Sequence, residues 1–520
     1  MDSAMNVLRA AAVIGLYTML SRILGFVRDL LIAATLGAGP IADAFFVAFR
    51  LPNLFRRLFA EGAFSAAFAP LFAAGLTQDG PGAAKRMAEE ALSLVILGGV
   101  ILTAVAELAM PALVAILAPG FLDAPEQFRH AVEMARLTFP YLAFMTLTAL
   151  FAAVLNGVGR FAAAAAAPIL LNLIMITAML GFADLGETPG HVLAAGVALA
   201  GAAQLVLVVV AAKRAGYRLK LRRPRLTPGM RKLGRLMGPG VLAAGATQIN
   251  IVVGSQLASL LAAGAISHLY YADRIYQLPL GVIGVALGVA LLPQISRQAQ
   301  SGDEAAAQAS LGRGVEIGLW LTLPAAMAAF AAPELLVRAL FERGAFSAAD
   351  AAATAAALQA YAVGLPAFVL AKTLAPGYFA RADTKTPARA AAISVGLNIA
   401  LGLALMWPLG HVGLALATTI ASWMQVALLW RGLRRAGWHT SRPGGMRRLL
   451  GLGAAAATMG VCLAAAAPLA LGMSGDLMRL GVTLGLCALA CLIYLLIAHG
   501  LGAARIDDAW RELRRGSKSA

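Results

Sequence analysis

The sequence predicts an all-α polytopic membrane protein of about 14 transmembrane helices, arranged as two six-helix lobes plus two C-terminal helices. Three observations predict it. The 520 residues are 60% hydrophobic and only 13% charged, with a mean hydropathy of +0.80, outside the range of a water-soluble globular chain. Apolar runs long enough to cross a hydrocarbon core of about 30 Å recur along the whole length. The lysines and arginines between those runs fall in alternate loops, the bias that sets orientation in membranes.

The first run, 8–36, contains Arg22 and Arg28 and is too long for a cleavable signal peptide, so it stands as the first helix. The second, 41–73, carries Pro52, which removes a backbone donor and bends the helix. Runs at 88–117, 131–157, 161–183 and 191–213 complete a first set of six, the lobe 1–213. The longest basic interruption follows, KRAGYRLKLRRPRLTPGMRK, and reads as a cytoplasmic linker over 214–232. The lobe 233–435 holds runs at 233–263, 266–296, 311–331, 351–379, 387–408 and 411–431. Helices 13 and 14, at 446–471 and 477–500, form an appendix over 446–500, and 501–520 is a basic cytoplasmic tail.

With the N-terminus inside, Arg129, Arg338, Arg343 and Arg479 are the basic residues that fall outside, while acids divide about evenly between the two sides. An odd helix count would spoil that asymmetry, which places both termini in the cytoplasm. The net charge of +17 comes largely from clusters at 213–235, 431–448 and 505–518 beside helix ends. Anionic headgroups attract such clusters, so membrane lipids are the expected partners. No soluble domain accompanies the charge, and nucleic-acid binding is not expected. Cys462, Cys487 and Cys491 all fall in the last two spans and read as packing residues.

Weak internal similarity supports two related halves. FFVAFRLPN at 45–53 can be laid on LYYADRIYQ at 269–277, which aligns Arg50 with Arg274 and brings Pro70 close to Pro293. GVGRF at 157–161 likewise resembles YFARA at 378–382. Both units begin inside, so these repeats are parallel; such transporters place the substrate between halves that rock. The likeness of LFAEGAFS at 58–65 to LFERGAFS at 340–347 has a different offset and is read as coincidence.

Charges inside the spans carry the functional information. A lipid-facing arginine at the bilayer centre costs roughly 2.5–3.5 kcal/mol on insertion scales, so such residues face water or a partner. In SRILGFVRD, Arg22 and Arg28 sit about 9 Å apart in depth on different faces, whereas Ser21 shares a face with Arg28 and Arg22 with Asp29. In the second span Asp43, Arg50 and Arg57 repeat every seven residues, with Glu61 four beyond Arg57. The eighth span supplies Asp273 and Arg274 among Tyr270, Tyr271, Tyr276 and Gln277. One arrangement puts Arg274 in a cavity and bonds Asp273 to another helix. Glu107, Arg136, Glu316 and Lys372 are more isolated and read as packing or interface charges. Three separated cationic sites, Arg22/Arg28, Arg50/Arg56 and Arg274, suit an anionic, phosphate-bearing cargo, because a guanidinium binds such groups through a two-pronged fork.

SRILGFVRD, DAFFVAFRLPNLFRRLFAEGAFSAAFAPLF, YYADRIYQLPLGVIGVALGVALLPQIS and LAPGYFARADTKTP closely resemble the MurJ (MviN) family, within the multidrug/oligosaccharidyl-lipid/polysaccharide exporter superfamily. The resemblance covers nearly the whole chain. It implies a flippase for lipid II, the undecaprenyl-pyrophosphate-linked peptidoglycan precursor, in the bacterial inner membrane. It further implies two six-helix lobes enclosing a cationic cavity, with the last two helices forming a groove for the lipid tail. Carried over by position, the cavity residues are Arg22, Arg28, Asp29, Arg56 and Arg274. Asp43, Arg50 and Glu61 match further sensitive positions, with Ser21, Pro52 and Asp273 beside them. Periodicity alone favours Arg57 over Arg56; the resemblance favours Arg56. Some family members couple to sodium through acids in helices 7 and 11. Here the seventh span has no acid and Asp383 precedes the eleventh, so such a site is not expected, nor is any cofactor.

The implied mechanism is alternating access, with cell-wall synthesis machinery as a possible partner class. A flippase for another polyprenyl-linked glycan and a non-transporting cell-wall scaffold are the alternatives. A cation exporter needs acids and aromatics in its cavity. A membrane glycan polymerase needs a catalytic acid and a sizeable outer loop, and the outer loops here are short.

Overall fold

Every expected span falls largely on helix in the computed structural model. It describes residues 2–438, 445–473 and 475–503, with the side chains of all but 2–12, 59–62, 242–244, 246–247, 285–286 and 289–290. The basic tail beyond 503 therefore lies outside the described residues. By length and composition, nine of the described helical stretches are apolar enough to cross a membrane, and no strand occurs among the described residues. The chain is an all-α, multi-pass membrane protein. Helices satisfy every backbone polar group within the segment, which lipid demands.

The first of two compact units is Met1–Ser267. It contains α1 (Asp2–Leu36), α2 (Pro40–Phe55), a π-helical stretch Arg56–Phe64 and α3 (Ser65–Gln78). There follow α4 (Gly80–Leu117), α5 (Pro125–Thr138), α6 (Tyr141–Gly157), α7 (Ala162–Phe182), α8 (Pro189–Arg214) and α9 (Pro228–Ser259). Prolines open α2, α5, α8 and α9, where the missing N–H is one the helix cannot use. Close approach rests on small residues such as Ala42, Ala44 and Ala48, all fully buried. Leu108 is 85% exposed and Leu180 71%, as lipid-facing side chains should be.

Pro52 acts as expected on the backbone. It lies inside α2, so the carbonyl of Ala48, four residues earlier, receives no helical N–H. The fully buried Thr138 hydroxyl fills that vacancy, donating to Ala48 O at 3.0 Å. The helix then widens into its π-helical stretch at Arg56, a local unwinding common at functional positions.

The basic segment 214–232 is strapped onto α4. Glu89, 2% exposed, accepts from Lys220 N at 3.2 Å and from Arg222 Nε at 2.6 Å. Ser93 Oγ accepts from Arg222 N at 2.9 Å, and Thr227 donates to Glu90 at 2.8 Å. Glu89→Ala is expected to loosen this strap by about 1–3 kcal/mol, the cost of unaccepted donors. Limited trypsinolysis checks it: cleavage across 213–225 should accelerate, and an unchanged rate would mean that Glu89 does not hold the segment.

Helix α9 packs against α3, α4 and the π-helical stretch, so the units part after it. Its C-terminal end is held by Gln256 Nε2 donating to Ile116 O at 2.8 Å, and by Gly120 N donating to Ser259 Oγ at 3.2 Å. A Cβ on Gly120 would lie 1.9 Å from Ser259 O; only glycine allows that approach. The lobe boundary expected at 214–232 rested on weak internal similarity, whereas this division rests on packing.

The second unit is His268–Ala520. It takes most of α10 (Ala265–Pro279), a short π-helical stretch Leu280–Gly284, then α11 (Val285–Gln300), α12 (Glu304–Ala331) and α13 (Pro333–Phe341). It closes with α14 (Ala348–Phe379), α15 (Lys385–Arg435), α16 (Gly445–Leu471) and α17 (Asp476–Gly500). Helix α14 is the hub, packing against α11, α12, α13 and α15. Gly410, at φ 56° and ψ −137°, breaks α15 between the two expected spans 387–408 and 411–431, a conformation open to glycine. Helices α16 and α17 pack together and against α12.

The two aligned segments share one local feature. Leu280 stands as far beyond Arg274 as Arg56 stands beyond Arg50, and each opens a π-helical stretch. LFERGAFS, by contrast, spans the end of α13 and the turn after it, whereas LFAEGAFS lies in the first π-helical stretch. Their local structures differ, as a coincidence of sequence allows.

Candidate functional site

The candidates of the first unit begin on α1. Ser21 and Arg28, two turns apart on one face, converge on Asn172 of α7. Arg28 Nη1 donates to Asn172 Oδ1 at 3.0 Å, while Asn172 Nδ2 donates to Ser21 O at 2.9 Å. Arg28 also turns back on its neighbour, with Nη2 and Nε donating to Asp29 Oδ1 at 2.7 and 3.1 Å. The Phe49 ring lies 6.0 Å from its guanidinium carbon. Arg28 is 8% exposed and Asp29 3%, so neither reaches out to an interface. Arg22, on another face, is exposed. Asn172 was not among the sequence candidates; its signal is that of a single strongly polar side chain in the apolar run of α7.

On α2 the residues serve separate tasks. Asp43 is buried and accepts from Gly264 N at 2.7 Å and Ser267 N at 2.8 Å, as well as from the Ser267 hydroxyl. It thereby caps the start of α10 from a distant helix. Gly264 holds the turn at φ 94°. Arg50 is half-buried six residues before the start of the π-helical stretch. Arg56 donates from Nε to Asn53 Oδ1 at 3.2 Å, and Asn53 Nδ2 donates to Phe49 O at 2.8 Å. Arg56 is half-buried and Arg57 exposed. Glu61 has its backbone in the π-helical stretch, and its side chain lies outside the described residues.

In the second unit Arg274 stacks on Tyr270 one turn earlier, its guanidinium carbon 4.4 Å from the ring centre, a cation–π contact. Asp273 accepts from Gln277 on the same helix. Asp383 sits in the turn between α14 and α15, where hydrogen bonds from Thr386 hold its carboxyl below the usual carboxylate range. The structure thus joins Ser21 and Arg28 through Asn172, ties Asp29 to Arg28, and joins Arg56 to Asn53. Asp43 binds the α9–α10 turn instead. Glu316 pairs with Arg448 at 3.4 Å.

The profile of the family described as lipid II flippase MurJ matches residues 32–489. The chain belongs to the MurJ family. A protein of Rhizobium meliloti (strain 1021) named probable lipid II flippase MurJ is 43% identical, over 99% of this chain and 98% of its own length. The lipid II flippase MurJ of Burkholderia cenocepacia is 35% identical, over 85% and 87%. The alignment with the Rhizobium MurJ includes nearly all of α1, whose arginine motif, Ser21 to Asp29, precedes the profile match. Among solved structures, a lipid II flippase MurJ in an inward closed conformation superposes with a TM-score of 0.76 at 24% identity, covering 93% of this chain and 97% of that one. An inward-facing multidrug resistance MATE family transporter gives 0.65 at 14% identity, over 83% and 100%. These two show the MurJ fold and its relation to the MATE fold.

Proposed function

We propose that this chain is a flippase that moves lipid II from the inner to the outer leaflet of the cytoplasmic membrane by alternating access, with both termini in the cytoplasm. The observation that supports it most is the buried guanidinium of Arg28, fixed by Asp29 and Asn172 inside a membrane helix of a MurJ-family chain. A fixed cation at that depth is costly unless an anion or a polar partner uses it. In this reading Arg22, Arg28, Arg50 and Arg56 receive the pyrophosphate, with Arg274 a further cationic contact. The polyprenyl tail stays in lipid beside α16 and α17. No bond is made or broken, so the chain is a transporter and not an enzyme.

With the cytoplasm negative, outward movement of an anion is favoured by about 2.3 kcal/mol per charge per 100 mV. The test is lipid II translocation in cells depleted of their own flippase. Expression of this chain should restore it, and depolarisation should slow it. Restored growth without lipid II movement would favour a scaffold. Failure with lipid II but success with another polyprenyl-linked glycan would change the substrate.

A further inference from the structure

Four side chains outside the arginine array converge where the α4–α5 and α7–α8 connections meet in the first unit. His130 and Glu133 lie on α5, Glu187 in the turn before α8, and His191 in the first turn of α8. Taking one ligating atom from each, all lie within 4.8 Å of one another. Glu133 Oε2 is 3.1 Å from His191 Nε2 and 3.9 Å from His130 Nδ1. The two imidazoles stand nearly edge to face, 5.4 Å between centres. Transport by the buried arginines leaves this group without a task. We propose that His130, Glu133, Glu187 and His191 form a transition-metal site of the zinc class that clasps the middle of α5 to the start of α8.

The donor set selects the ion. Two imidazoles with two carboxylates are the ligands of a borderline cation such as zinc, whereas magnesium and calcium prefer all-oxygen shells. Local structure prepares the donors. His130 and Glu133, three apart on α5, share a face. Thr188 Oγ1 lies 2.9 Å from His191 Nδ1; with the Nδ1 proton on that bond, the Nε2 lone pair points at the cluster, the outer-shell support seen around metal-bound histidines. His130 Nδ1 is buried and has no hydrogen-bond partner. A buried polar atom in that state is costly, and a metal ligated there removes the cost.

The competitor is Arg129. It donates to Glu187 at 2.8 Å, Glu133 at 3.1 Å and Glu126 at 2.9 Å, neutralising the carboxylates that the ion needs. Each carboxylate has two oxygens, so zinc takes one from each and Arg129 moves to the outer side as their hydrogen-bond donor. Short side-chain rotations then close the ligand set to the roughly 2.0–2.2 Å of zinc–nitrogen and zinc–oxygen bonds. A cavity of about 680 Å³ adjoins the cluster, lined by Glu107, Glu133, Arg136, Glu187 and His191. It gives the ion a route in.

The experiment uses the full chain in nanodiscs, purified without a histidine tag, titrated with zinc chloride and separately with magnesium chloride. One zinc per chain and no response to magnesium are expected. The His130→Ala/His191→Ala variant should weaken zinc binding by about tenfold or more, and Thr188→Val by about tenfold. His268→Ala, which alters a different histidine pair, should bind as the parent does. Should the double variant fail to fold, zinc X-ray absorption of the parent decides: two imidazoles with oxygen ligands support the site. Sulfur ligands, oxygen alone, or parental affinity in a folded double variant would overturn it.

Discussion

Arg28→Ala is expected to abolish the proposed translocation and to destabilise the chain, and adding Asp29→Asn is expected to restore stability without restoring transport. Arg28 and Asp29 are a buried pair in direct contact. Removing one partner takes from the other its direct counter-charge in a buried site, a loss of up to about 3–5 kcal/mol. The second substitution removes that buried carboxylate charge, so the melting temperature should return most of the way. If Arg28 served only to balance Asp29, transport would return with it. If Arg28 binds an anion, the double variant folds and is inert. Arg28→Lys divides the readings further: it keeps the charge and loses the planar fork that reaches Asp29 and Asn172 together, so partial transport is expected. Lipid II translocation measured alongside thermal melting in nanodiscs separates these outcomes. A double variant that transports like the parent would assign the pair to structure alone.

Hydropathy and charge made the helices legible because a membrane leaves few other solutions. What they could not show was which helix each span meets. Helix α9 was expected to open the second lobe yet packs on the first unit, where Gly120 and Gln256 help to hold its end. Within the site, period alone put Ser21 and Arg28 on one face, and Asn172 joins them there. The same period misled beyond Phe55. Asp43, Arg50 and Arg57 repeat every seven residues only while each residue turns about 100°, and the π-helical stretch from Arg56 onward turns less. Arg57 is exposed while Arg56 is half-buried against Asn53. A proline at 52 announced a bend; the unwinding after it, and the Thr138 hydroxyl that takes its orphaned carbonyl, depended on a helix ninety residues away.

Asp43→Ala is expected to cost about 2–5 kcal/mol and to lower transport through the fold rather than through substrate binding. Asp43 reads from sequence as one acid in a charged stripe, but its oxygens face backbone. Gly264 N and Ser267 N are both held at under 3 Å, and the site is 2% exposed, so no water replaces the carboxylate. Leaving each buried donor unaccepted costs about 1–3 kcal/mol. Asp43→Asn keeps one acceptor oxygen while turning an amide group toward a donor, so it should fall between parent and alanine. Ser267→Ala removes the hydroxyl alone and should cost about 1 kcal/mol. The start of α10 would fray in Asp43→Ala, and hydrogen exchange at Gly264 to Ser267 should report it before global melting does. An alanine variant with parental melting and exchange but no transport would place Asp43 on the substrate's path and remove it from the cap.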